Sequence, residues 1–108
     1  MGVEGIWKVD MHAADGWQCV GTGFFEDGWY LRGGDDAYVV GTDELDGDQI
    51  VITATSTRFR GRGAVFGKAT GESRLRITGV VEDDTITAEA TDGTYTTHFL
   101  ATRLGYLP

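Results

Sequence analysis

Apolar and polar residues take turns along most of this chain. In Trp7-Lys8-Val9-Asp10-Met11-His12 the alternation is that of a strand with one face buried. Strand character also marks Trp17 to Phe25, Trp29 to Arg32, Tyr38 to Gly41 and Gln49 to Arg58. It resumes at Arg74 to Val81, Thr85 to Thr91 and Tyr95 to Arg103. Ile50, Ile52 and Ala54 mark one face of the fifth segment, Leu75 and Ile77 one face of the sixth. Helical spacing is never sustained for three turns. Most joints are short and acidic or glycine-bearing: Asp15-Gly16, Glu26-Asp27-Gly28, Asp46-Gly47-Asp48, Glu82-Asp83-Asp84 and Asp92-Gly93-Thr94.

About eight strands with such short joints favour antiparallel neighbours. The 108 residues are enough for one core and too few for two. An eight-strand sheet in one small domain, residues 1–108, must hide two edges and an apolar face. Closure into an up-and-down β-barrel does both, so an all-β antiparallel barrel is expected, with a β-sandwich as the alternative. The longest connection, Phe59 to Gly71, lacks a period and is expected to carry a short helix or to cap one end of the sheet.

The net charge of -8 argues against a nucleic-acid partner and against an anionic membrane surface. No apolar run approaches the ~20 residues of a membrane-spanning helix. The start of the chain lacks a basic, apolar export signal, and Cys19 has no partner for an internal disulfide; a cytoplasmic location is expected. The charge is unevenly spread. Eight of the 17 acids fall between Glu26 and Asp48, and six of the nine bases between Arg58 and Arg76. Two such regions read either as solvated faces or as a docking surface for a charged partner or a second copy.

Residues able to do chemistry are few. His12 and His98 lie on the first and last strands, which pair in a closed barrel; Cys19 and Asp10 are the only nearby candidates for further metal ligands. No spacing motif supports a metal site, and none is expected. Cys19 reads as a small buried hydrophobe rather than a nucleophile. Gly33-Gly34-Asp35-Asp36 shares its opening with a cyclase signature, but here it reads as a turn in which the glycines permit positive φ. No phosphate-cradling loop precedes a helix, so no cofactor and no enzymatic activity are expected.

Gly5-Ile6-Trp7 resembles the Gly-x-Trp that opens the barrels of lipocalins and their calycin relatives. The resemblance implies that a basic residue ending the last strand, here Arg103, packs across the tryptophan. A wider likeness runs through Gly5-Ile6-Trp7, the Glu26-Asp27-Gly28 turn, Gly33-Gly34-Asp35, Tyr38 to Gly41, Thr85-Ile86-Thr87 and the ending Leu100 to Arg103. In these features the chain resembles GrlR-like proteins, a bacterial family named for a negative regulator of type III secretion. That resemblance implies a lipocalin-like barrel of eight strands, dimeric and without catalysis. It also implies an acidic surface loop that captures a transcriptional activator. Here the loop falls on Asp43, Glu44, Asp46 and Asp48, with Leu45 and Gly47 interrupting the acidic run. The expected function is therefore protein interaction and regulation. The alternative is a barrel that binds a small apolar ligand, decided by whether large side chains fill its interior.

Overall fold

A computed structural model describes residues 2–59 and 71–107. Eight strands follow in order: β1 (Gly5–Ala13), β2 (Gly16–Glu26), β3 (Trp29–Gly33), β4 (Ala37–Asp46), β5 (Gln49–Arg58), β6 (Gly71–Glu82), β7 (Thr85–Thr91) and β8 (Thr96–Gly105). Each pairs antiparallel with the next, and β8 pairs with β1, so the sheet is a closed up-and-down barrel. The sandwich alternative is excluded. The described residues include no helix. The helix or cap expected between Phe59 and Gly71 falls largely on residues 60–70, outside the described residues.

The turn chemistry explains the meander. At the β2–β3 hairpin Asp27 and Gly28 both take positive φ, 51° and 82°. That is the twist-matching geometry for which Asp-Gly is favoured. At the β4–β5 hairpin Gly47, with φ 64°, takes the first central position. Both hairpins, the β6–β7 hairpin and the two chain ends lie at one end of the barrel.

Inward residues alternate as the pattern requires: Ile50, Ile52 and Ala54 on β5, and Ile86, Ala88 and Ala90 on β7, are all buried. Trp7, with no exposed surface, is the largest fully buried side chain. It packs in one cluster with Val3, Phe25, Tyr30 and Ile50; Val9, Leu75, Ala90 and Phe99 form a second.

Alternation fails once in β2, with a consequence. Strict period two from Phe25 through Gly23 and Gly21 would turn Cys19 inward. The β1–β2 register instead runs Val9↔Gly21 and then Asp10↔Cys19, so β2 carries an extra residue there. A one-residue slip moves every later side chain to the other face. Cys19 is accordingly exposed, correcting its expected place in the core.

Candidate functional site

The Gly-x-Trp start and Arg103 come together at the end of the barrel that holds the chain ends. The segment before β1 folds under the barrel: Val3 is buried, and its carbonyl accepts a 2.8 Å hydrogen bond from Trp7 Nε1. The Arg103 guanidinium lies 4.5 Å from the Trp7 ring and 4.7 Å from that of Tyr106. It donates to the carbonyl of Glu4, to that of Gly2 at 3.3 Å, and to Asp84 Oδ1 at 3.0 Å. Gly5 has φ 143°, and a Cβ there would meet the Gly105 carbonyl oxygen at 2.5 Å. The motif is thus a plug. The indole fills the barrel floor, the arginine covers it, and glycine alone permits the close passage of β1 against the last residue of β8.

The expected acidic loop is mostly strand. Asp43, Glu44 and Asp46 belong to β4 and pair with Ile52, Val51 and Gln49; only Gly47 and Asp48 form the turn. Asp43 is partly buried, whereas Glu44, Asp46 and Asp48 are exposed. Burial, with the nearby Glu4 carboxylate second, pushes the Asp43 carboxyl above its ordinary range. The four therefore share one end of the barrel without forming one loop.

The meander also redistributes the charge. Asp35 and Asp36 go to the opposite end with the β3–β4 connection. Glu4, the pair Glu26 and Asp27, the four acids of Asp43 to Asp48, and the three of Glu82 to Asp84 gather at the plugged end: ten of the 17 acids. Those segments contain no base; Arg103, near the end of β8, reaches Asp84 there. Of the expected basic region, Arg58, Arg74 and Arg76 lie on β5 and β6, while Arg60, Arg62 and Lys68 lie outside the described residues.

Gly33 and Gly34 do not take positive φ, contrary to expectation. Gly34 serves close approach instead: a Cβ there would press on the Val20 carbonyl, whereas Gly33 has open space. Asp35 sits exposed beside them. The histidines separate. His12 pairs with Trp17 across the β1–β2 hairpin, ring to ring at 5.2 Å, while His98 pairs with Glu89. Among the described residues no group of three or more His, Cys, Asp or Glu side chains could hold a metal ion.

A surface that strand assignment missed lies on the outside of β1 to β4. Ile6, Phe24, Leu31 and Val40 stand directly opposite one another across four strands. Phe24, Leu31 and Val40 are exposed, as are Trp29 beside them at 53% and Tyr38. Trp29 pairs with Glu26, and Glu44 follows two residues after its other partner, Thr42. The signal was present in the sequence. Phe24-Phe25, Trp29-Tyr30-Leu31 and Tyr38-Val39-Val40 are unbroken apolar runs, so both faces of those strands are apolar.

Large side chains line the inside of the barrel among the described residues. A cavity of about 40 Å³ remains, walled by Val9, Phe25, Val39 and Phe99 among others, and by Tyr30 and Arg32. Burial raises the Tyr30 hydroxyl above its ordinary pKa, an effect that the Arg32 charge partly offsets.

These features define a small, closed antiparallel β-barrel of lipocalin-like form with a plugged end. No protein-family model matches the chain, and no curated protein matches it. Among the described residues, no helix is long and apolar enough to cross a membrane.

Proposed function

We propose that the protein is a non-enzymatic interaction module that docks a protein partner on the outer face of β2 to β4. One observation carries this reading: the exposed row Phe24–Leu31–Val40, extended by Ile6 and Trp29, is contiguous across neighbouring strands. Scattered exposed apolar residues are ordinary on a protein surface, but a contiguous patch marks an interaction site. Its rim gives the partner's chemistry. Glu26 and Glu44 flank Trp29, and the plugged end beyond them holds Asp46 and Asp48. The fitting partner offers an apolar ridge flanked by lysine or arginine. The apolar centre supplies affinity, and the acidic rim supplies encounter rate and choice of partner. The GrlR-like resemblance supports a transcriptional regulator as that partner. Exposed Cys19 suits a reducing compartment such as the cytoplasm.

Affinity capture from the native host, followed by rebinding of the purified captured protein, tests the reading. Leu31→Lys is expected to weaken that binding at least roughly tenfold, or about 1.4 kcal/mol. Neutralising Asp43, Glu44, Asp46 and Asp48 together should slow association and remove its salt dependence, with the fold kept. Unchanged affinity in both variants would sink the proposal. Light scattering that shows a dimer dissolved by Leu31→Lys would assign the face to a second copy instead.

A further inference from the structure

Among the described residues, Arg32 is the one basic residue turned into the barrel. It occupies an inward position on β3, opposite Gly23 of β2 and Val39 of β4. Its guanidinium lies 5.7 Å from the Phe99 ring, on β8. β3 and β8 are not neighbours in the sheet, so this side chain crosses the lumen. Its Nε is fully enclosed and has no hydrogen-bond partner among the described residues. The remaining walls of the cavity beside it are apolar apart from the Tyr30 hydroxyl, and no carboxylate lines it. Residues 60–70, outside the described residues, contain no acidic side chain.

An enclosed guanidinium nitrogen without a hydrogen-bond partner is costly, and arginine does not escape the cost by giving up its proton. Burial draws the guanidinium below its ordinary pKa, partly offset by Tyr30, but leaves the charge in place. An anion at that position would offset the cost. We propose that Arg32 anchors a small-carboxylate site inside the barrel, which takes a short-chain monocarboxylate such as acetate or propionate. The planar guanidinium matches the two oxygens of a carboxylate, and the surrounding apolar wall accepts a short stem. The cavity of about 40 Å³ has room for roughly three water-sized groups, hence a carboxylate head and little more. Arg32 stands next to the last residue of β3, toward the end opposite the plug, and is partly accessible as a whole. That position is away from the ten acids at the plugged end.

The test is titration of the purified protein with sodium acetate and propionate, by calorimetry and thermal shift, against sodium chloride at matched ionic strength. Saturable binding and a raised melting temperature are expected with both carboxylates and not with chloride. Arg32→Met should lose the response, with affinity down at least roughly tenfold. Without ligand this variant should melt no lower than the parent, since it removes an unpaired charge. No saturable response beyond chloride, or a full response in Arg32→Met, would overturn the proposal. So would tighter binding of octanoate or oleate than of propionate. If Arg32→Met does not fold, Arg32→Lys keeps the charge and loses the planar fork; undiminished affinity in that variant has the same consequence.

Discussion

Arg103 covers Trp7. The guanidinium rests 4.5 Å from the indole, its side chain is 7% exposed, and it also reaches the carbonyls of Gly2 and Glu4. A residue from the last strand thus holds down the segment that precedes the first. Lysine cannot reproduce this, because its single ammonium lacks the planar fork that stacks and donates in several directions. Arg103→Lys is expected to lower stability by about 1.5–3 kcal/mol, read from denaturant midpoints at constant m. Trp7→Ala should cost more, about 3–5 kcal/mol, by emptying the floor of the barrel.

The glycine of the same motif is held by sterics. At Gly5 a methyl would meet the Gly105 carbonyl oxygen at 2.5 Å in a backbone with φ 143°. Gly5→Ala should therefore destabilise by more than ~1 kcal/mol. Gly33→Ala, with open space around it, should stay within roughly ±0.5 kcal/mol. Equal effects from the two substitutions would contradict the assignment.

Asp43 gives a pH dependence with a definite sign. Burial and, secondarily, Glu4 raise its pKa in the folded state. Between its unfolded value of about 4 and the raised folded value, the native state binds more protons than the unfolded chain. Stability from this group therefore falls as pH rises through that window, and the full penalty stands at neutral pH. Asp43→Asn should melt higher than the parent at pH 7, with the gap closing as pH approaches ~4.

Ten carboxylates at one end repel one another. Raising sodium chloride from about 0.02 M to about 0.5 M should raise the melting temperature, since the Debye length shrinks below the spacing between hairpins. Neutralising Glu82, Asp83 and Asp84 should shrink that salt response.

The barrel itself was legible because its two requirements are local. Period-two alternation sets which residues face inward, and pairs such as Asp27-Gly28 set where the chain reverses. The plug was legible through Gly5, Trp7 and Arg103, whose residue types each answer a steric or stacking need. What was not legible depends on which segments end up side by side. Glu4 and Glu82 to Asp84 are far from Asp43 in sequence and share its end of the barrel, while Asp35, only eight residues away, leaves for the other end. The Cys19 error came from one extra residue in β2, which no composition rule announces. Arg32 shares its parity on β3 with Tyr30, and that parity turns it inward.

The closed sheet has a last consequence for recognition. With β8 hydrogen-bonded to β1, every strand has a neighbour on both sides, and only overhangs such as residues 16–21 of β2 and 71–75 of β6 lack a ladder partner on one side. A visiting peptide finds no full-length edge to extend as an added strand, a common way for β-proteins to hold extended partners. On the fully paired barrel wall, selection falls to the side chains. Its binding specificity is therefore free to change by point substitution on the barrel wall, with the hydrogen-bonded frame left untouched.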